Sequence, residues 1–207
     1  VFDRSDNALE FADNASLVFG AGSDLTITHD ATDSTITSAT NDLKITSNGD
    51  DLILEAEDDV IIRDNGGSNI LAQFINGGAN ELYHNATKKF ETASGGVSLT
   101  GGAAANITAL SDGATITIDM ATACHHSVTL GGNRTFAAPS NQVIGQSGSL
   151  FITQDGTGSR TAAFNAAFKF VGGTAPTLTT TAAAVDRIDY VILSSNVIHC
   201  AVSLDVR

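Results

Sequence analysis

The sequence predicts an all-β protein with a repetitive β-rung shaft followed by a compact antiparallel β-sandwich or jelly-roll domain. Short alternating strands recur every eight or nine residues in the first third of the 207-residue chain. Longer alternating strands, separated by glycine-rich turns, fill the second half. Long stretches with helical periodicity are absent from the sequence, which is rich in β-branched and turn-forming residues. These observations together indicate strands and turns throughout.

The predicted shaft covers residues 1–75 and consists of one-strand units. Their first apolar residues are spaced by steps of 8, 8, 18, 9 and 8: Leu9, Leu17, Leu25, Leu43, Leu52 and Val60. Each unit is closed by Asp, Asn or Gly, as a stack of β-rungs requires. One strand and one turn are too short to complete a solenoid coil. We therefore expect other copies of the chain to complete the core, as in a trimeric β-helix or β-prism.

Residues 76–102 predict connecting strands and a glycine-rich linker, and residues 103–207 predict the β-sandwich head or cap domain. In that second domain the pattern predicts strands at 115–119, 127–130, 149–154, 160–164, 177–181, 187–193 and 197–204. Its core volume is expected from the large aromatic residues Phe136, Phe151, Phe164, Phe168, Phe170 and Tyr190.

Charge is distributed unevenly between the two halves. Residues 1–100 contain 17 of the 23 acidic and 5 of the 10 basic residues, a net charge of −12, which leaves −1 for residues 101–207. An acidic surface argues against nucleic acid or an anionic membrane as a partner, because both are polyanions. An apolar run near 18 residues and a basic leader before an apolar stretch are both absent, so we expect no membrane insertion.

Only two clusters contain residues that bind soft metal ions. They are Cys124-His125-His126 and His199-Cys200. A zinc site needs four converging ligands, whereas alternation along a strand separates His125 from its neighbours and His199 from Cys200. We therefore predict no metal site and keep Cys124, His126, His199 and Cys200 as the candidate ligands. A Cys124–Cys200 disulfide stays open at this point.

The sequence also contains a partial match to the motif of calcium-binding β-rolls. Residues 20–25 (GAGSDL) partly match the glycine-rich roll motif, but the large apolar residue follows the aspartate by one position rather than two. The acidic pairs Asp50-Asp51 and Asp58-Asp59 offer carboxylates, yet adjacent strand residues point to opposite faces. We interpret these residues as solvated turn acids.

Motifs of enzyme active sites are missing from the sequence. It contains no nucleophile elbow, phosphate-binding loop, H-E-x-x-H segment or ordered catalytic triad. We therefore expect a protein that is not an enzyme, has no catalytic residues and needs no cofactor.

Several phrases resemble tail-fibre and other virion proteins of marine tailed bacteriophages. In the first half they are residues 22–30 (GSDLTITHD) and 81–92 (ELYHNATKKFET). In the second half residues 129–135 (TLGGNRT) and 152–161 (ITQDGTGSRT) resemble a module at the ends of such fibres. The resemblance implies a homotrimeric structural protein on the virion exterior. The sequence starts without Met, so we expect a missing N-terminal segment that contacts other virion proteins.

The function that follows is a structural subunit of a bacteriophage tail fibre or related virion appendage. Loops at the end of a sandwich often recognise ligands, so the C-terminal domain would attach to a host glycan or outer-membrane protein. It would equally serve as a cap that locks the trimer and protects the strand edges of the shaft. The alternative functions are a bacterial surface adhesin and a calcium-binding β-roll protein.

Overall fold

A computed structural model describes residues 2–3, 8–9 and 11–206 of the chain, the first two pairs by their backbone only. The described residues form β-strands, turns and one short 3-10 turn, which confirms the all-β prediction. They divide into two compact units, Val1–Val97 and Ser98–Arg207. The first predicted rung, around Leu9, lies mostly outside the described residues.

The first unit consists of antiparallel sheets. Strands β1 (Phe2–Asp3) and β2 (Ala8–Leu9) form a two-residue antiparallel pair. A three-stranded antiparallel sheet follows: β3 (Ser16–Phe19), β4 (Leu25–His29) and β5 (Ser34–Ser38).

A five-stranded sheet completes the first unit, and its strands neighbour one another in chain order. They are β6 (Val60–Arg63), β7 (Ile70–Phe74), β8 (Asn80–His84), β9 (Thr87–Ala93) and β10 (Gly96–Leu99). The pairs from β6 to β9 are antiparallel.

Two of the predicted rungs form no strand within the chain. The stretch 42–59, which contains Leu43 and Leu52, has no β-ladder partner in the structure. Its apolar side chains are exposed, and Ile53 retains 70% of its accessible surface. A rung has no partner to pair with when neighbouring rungs of the same chain already form hairpins with each other.

The second unit contains two sheets. Its strands are β11 (Ile107–Ala109), β12 (Thr115–Ile116), β13 (His125–Leu130), β14 (Arg134–Phe136), β15 (Ser147–Gln154), β16 (Ala162–Phe164), β17 (Phe168–Phe170), β18 (Val185–Ser194) and β19 (Val197–Ser203). A six-stranded sheet has the order β11-β13-β15-β18-β19-β17, and a three-stranded sheet has the order β12-β14-β16.

The chain from β11 to β16 alternates between these sheets, and its strands are parallel within each sheet. This arrangement is three successive turns of a coil, after which β18 and β19 pair in antiparallel fashion. The prediction of a purely antiparallel sandwich or jelly roll is therefore wrong in its strand directions. The connections between successive strands of one sheet pass through the other sheet, and such a crossover makes neighbouring strands parallel.

One hydrophobic core lies in the second unit and draws side chains from both sheets. Phe136 of β14 is fully buried and stacks on Phe164, with ring centroids 5.0 Å apart and planes 5° apart. Phe168 and Phe170 meet the same Phe164 ring edge-on. Phe151 does not join the core, because it alternates with the buried Leu150 and Ile152 and lies on the other face of β15.

The predicted strand at 177–181 is absent. Asp186, itself buried, accepts hydrogen bonds from the backbone amide and the hydroxyl of Thr179, both at 2.7 Å. It also accepts one from the amide of Asp205 at 2.8 Å. A side chain thus satisfies the Thr179 amide that a strand would have paired with a neighbouring backbone.

Candidate functional site

The sheet β3–β5 of the first unit has one apolar and one polar face. Leu17, Ile27 and Ile36 stand opposite one another across the three strands and retain 40%, 40% and 54% of their accessible surface. On the other face Thr28 and Thr35 share a hydroxyl–hydroxyl hydrogen bond of 2.7 Å. An antiparallel sheet of this pattern normally packs its apolar face against a core. Here that face is half exposed.

The five-stranded sheet repeats the same division of faces. Ile62, Ala72, Leu82 and Phe90 form one row across β6–β9, and Ile62 and Leu82 keep 50% and 49% of their surface. Ala72 is the only hydrophobic residue classed as buried between residues 11 and 97. A unit of that length with one small buried apolar side chain has too little core to fold stably by itself.

The polar face of this sheet centres on Glu81, which is 8% exposed. Its carboxylate accepts hydrogen bonds from Gln73 Nε2 at 2.7 Å, from the Tyr83 hydroxyl and from Lys88 Nζ at 3.0 Å. The Tyr83 bond, followed by the Lys88 bond, lowers the pKa of Glu81. Lys88 also pairs with Glu91, and these two carboxylates raise the pKa of its ammonium group. Both oxygens of the Glu81 carboxylate therefore have hydrogen-bond partners within the sheet.

An open groove of about 790 Å³ lies on the six-stranded sheet of the second unit. Strands β13, β15, β17, β18 and β19 of the six-stranded sheet all contribute to it. Pockets that bind small ligands have volumes in this range. The groove is therefore the candidate binding site of the chain.

Two cross-strand rows build the groove. Ladder pairing places His125, Ser149, Asp189 and Ala201 in one row. The next row on the same face contains Ser147, Val191, His199 and Lys169. Residues between these rows, such as Tyr190 and Cys200, point into the core. The small Ser and Ala side chains leave room between the longer ones, which is how a flat sheet acquires a depression.

Gly148 holds this part of the sheet together. A side-chain carbon at this position would lie 1.6 Å from the Cys124 carbonyl oxygen and 2.7 Å from the Tyr190 hydroxyl. The absence of a side chain allows the Tyr190 hydroxyl to donate to that carbonyl at 2.7 Å. Burial, and then the neighbouring Cys124, raises the pKa of Tyr190 to about 12, so the hydroxyl stays a donor at neutral pH.

The polar groups of the groove are only partly engaged. Ser149 Oγ lies 2.7 Å from Asp189 Oδ1, and the Arg187 guanidinium lies 2.9 Å from Asp189 Oδ2. Lys169 Nζ donates to the Ala166 carbonyl at 2.5 Å. The Nδ1 atom of His125 is buried and has no hydrogen-bond partner among the described residues.

The candidate metal ligands do not converge in the structure. His126 points into the core of the second unit, His199 is exposed on the groove face, and both cysteines are free thiols. Burial raises the pKa of the Cys200 thiol to about 11, which keeps it protonated and a poor metal ligand. Among the described residues, no three His, Cys, Asp or Glu side chains form a group that could hold a metal ion.

The glycine-rich segment at residues 20–25 is the turn of a hairpin. It joins β3 to β4, which are antiparallel. Gly20 adopts a φ of +85°, and a side chain there would collide with the Asp24 carboxylate at 2.1 Å. A calcium β-roll stacks parallel strands, so the β-roll alternative is wrong for this segment.

Sequence reasoning missed the groove. It placed His125 on the strand face opposite the candidate metal ligands Cys124 and His126. It gave Lys169 and Asp189 no role. The alternating polarity around Asp189 and His199 indicates which side chains share a face of each strand. It does not indicate the register between strands, which brings residues of four strands into one row.

Comparison of the chain with protein-family models, curated proteins and solved structures found no match. Within the described residues, no helix is long and apolar enough to cross a membrane.

Proposed function

We propose that the chain is a structural subunit of a bacteriophage tail fibre or related virion appendage and assembles as a homotrimer. Its first unit forms the shaft, and its second unit is the domain for host attachment or trimer capping. Within that appendage the chain would also bind other virion proteins. The phrases that resemble marine phage fibre proteins and the distribution of apolar surface support this assignment.

One observation carries the proposal: the two units differ in how much apolar surface they bury. The second unit buries a continuous core that includes Phe136, Leu130 and Ile198, each 0% exposed. The first unit leaves the apolar row Leu17–Ile27–Ile36 and the run Leu52-Ile53-Leu54 exposed. Apolar surface in such quantity marks an interaction surface. A second and a third copy of the same chain carry the same apolar rows, which would lie at matching positions along the shaft.

The energetic argument favours identical partners. Complete burial of a Leu or Ile side chain contributes about 1.5–3 kcal/mol, so burying the remaining half of each contributes about 1 kcal/mol. Summed over the exposed rows of three chains, this contribution opposes the repulsion between three acidic shafts, and salt screens that repulsion. Rungs repeated every eight or nine residues would bring like rows into register all along the shaft.

The same contacts would join 42–59 to the rest of the shaft. This stretch has unpaired strand-like segments in the single chain. Neighbouring copies would supply the ladder partners that the chain lacks, because an extended segment with free amides and carbonyls pairs readily with another edge.

Immunogold electron microscopy with an antibody against residues 98–207 tests the assignment to a virion. We expect gold on a fibre or spike of tailed particles purified from lysates that contain this protein. Gold restricted to the surface of uninfected bacteria would contradict the proposal and would favour an adhesin.

Binding of the full-length chain to host cells then distinguishes the two roles of the second unit. A receptor-binding head makes the labelled protein adhere. A trimer cap gives particles with intact fibres and no adhesion of the isolated protein.

A further inference from the structure

We propose that the groove of the six-stranded sheet binds a sugar that carries a carboxylate, such as a uronic acid residue of a surface polysaccharide. The inference rests on the attachment role proposed for the second unit and specifies its ligand. It is argued from the charges, the apolar walls and the polar side chains of the groove.

The groove is locally positive in an acidic protein. Lys169 lines it and makes no ion pair among the described residues. His199 is its direct neighbour across the β17–β19 ladder. The only acidic residue in the lining is Asp189, whose charge is balanced by Arg187 and whose Oδ1 is occupied by Ser149. An incoming carboxylate therefore meets a free ammonium group and an already neutralised aspartate.

The Lys169 ammonium group keeps donors for a ligand. One of its three N–H bonds is directed at the Ala166 carbonyl, which fixes the position of the ammonium group. Two N–H bonds stay available. A charge-assisted hydrogen bond to a carboxylate is about twice as strong as a neutral one.

Apolar side chains form the walls of the groove. Val171, in the 3-10 turn after β17, is 87% exposed, and Val191 is 48% exposed. Sugar rings have faces made of C–H groups and edges made of hydroxyl groups. The two exposed valines would contact the C–H face of a sugar ring. The neighbouring Ser147, Ser149 and the histidines would contact its hydroxyl groups.

His125 lines the groove on the β13 side, across the sheet from Lys169 of β17. An imidazole ring can donate a hydrogen bond to a ligand hydroxyl or accept one from it. Its row neighbour Ser149 retains acceptor capacity on the hydroxyl oxygen. These two groups would read hydroxyls on the edge of the ring opposite Lys169.

The net charge of −13 limits the ligand further. A polyanion with closely spaced charges, such as nucleic acid, would be repelled by the shaft and by neighbouring chains. A polysaccharide in which acidic residues alternate with neutral ones brings few charges to each groove. The groove volume of about 790 Å³ accommodates one or two such sugar residues.

Isothermal titration calorimetry of the full chain with galacturonate and with galactose tests the proposal directly. The two sugars differ at one carbon, where galacturonate has the carboxylate. We expect galacturonate to bind in the millimolar range or tighter and galactose to bind at least tenfold more weakly.

Three variants locate the site. Lys169→Gln is expected to weaken galacturonate binding about tenfold or more and to leave galactose unchanged. The matched control is Lys89→Gln, an exposed lysine of β9 outside the groove, for which we expect wild-type affinity. Ala201→Trp fills the groove from an exposed position and should abolish binding of both sugars, with an unchanged circular dichroism spectrum.

Each outcome has a defined meaning. Equal affinity for the two sugars, or an unchanged affinity in Lys169→Gln, would overturn the carboxylate assignment. Failure of both sugars to bind would overturn the groove as a sugar site. If the chain still forms fibres on virions, or still adheres to host cells after Ala201→Trp, the proposed function stands and only this inference falls.

Discussion

Replacing Ile53 by alanine compares directly with replacing Ile144, because the two side chains have equal exposure in the single chain. Each retains 70% of its accessible surface. Ile53 lies in the apolar run of the first unit, which has almost no core of its own. Ile144 lies in a turn of the second unit, which has a complete core. If the single chain were the functional form, the two substitutions would have the same small effect.

The expected magnitudes differ once neighbouring copies cover the shaft. Truncation of a buried Ile to Ala costs about 2–5 kcal/mol, whereas an exposed truncation stays within about 0.5 kcal/mol. We expect Ile53→Ala to destabilise the assembly by about 2 kcal/mol per chain, the lower end of the range for a buried side chain. Ile144→Ala is expected to change stability by less than about 0.5 kcal/mol.

The assay is guanidinium unfolding at a fixed chain concentration, followed by circular dichroism and by sedimentation velocity. A fixed concentration is required because the stability of an oligomer depends on it. Ile53→Ala should lower the midpoint of the dissociation transition without changing the unfolding of the second unit.

Two results would refute this reasoning. Equal midpoints for Ile53→Ala and the wild-type chain would show that Ile53 stays exposed in the native assembly. A larger effect of Ile144→Ala than of Ile53→Ala would place the stabilising interface in the second unit instead.

Three further predictions follow from the cores and charges of the two units. Phe136→Ala is expected to cost about 3–5 kcal/mol in the unfolding free energy of the second unit, measured by denaturant titration, because the side chain is fully buried and stacked on Phe164; a cost below 1 kcal/mol would contradict the observed packing. Burial lowers the pKa of His126 below its usual 6.5, so the neutral ring is favoured in the fold. Thermal stability should be constant above that pH and fall as the pH drops below it. We expect His126→Leu to remove this pH dependence of stability, whereas the exposed control His199→Gln should retain it. A fragment of residues 1–100, with a net charge of −12, should gain circular dichroism signal between about 10 and 500 mM NaCl. Over this range the Debye length falls from roughly 30 Å to a few Å, so salt screens the repulsion between acidic residues. A signal that does not respond to salt would show that apolar packing outweighs the repulsion.

Strand positions were predictable from the sequence where alternation was strong. Residues 149–154 alternate in polarity, and β15 (Ser147–Gln154) includes all of them. The segment that begins at Leu25 likewise forms β4. Alternation reports which residues share a face, and that information is local. The predicted split of His199 from Cys200 to opposite faces is confirmed for the same reason.

Strand direction and partner choice were not predictable, because they depend on the path of the chain between strands. Consecutive strands of the first unit pair with each other as antiparallel hairpins, whereas a parallel coil within the chain is found in β11–β16. Short polar turns in the first unit allow consecutive strands to pair with each other. In the second unit, β12 lies in the chain between β11 and β13, and β14 lies between β13 and β15. Because β12 and β14 belong to the three-stranded sheet, consecutive strands of the six-stranded sheet cannot form hairpins here.

The groove depends on information that no single segment contains. Lys169, Asp189 and His125 lie far apart in sequence and share a face only through the ladder register of five strands. Gly148 carried a readable signal, since a glycine within a strand often marks a close approach of another backbone group. The group that approaches it is the Cys124 carbonyl, which only the structure identifies.

The number of chains in the native assembly tests the central claim most directly. Sedimentation equilibrium of the full chain at physiological salt measures this number. If copies of the chain complete the shaft, the mass will be three times 21.2 kDa, and it will persist on dilution to nanomolar concentration. A well-folded monomer of 21.2 kDa, with an ordered first unit, would contradict the account.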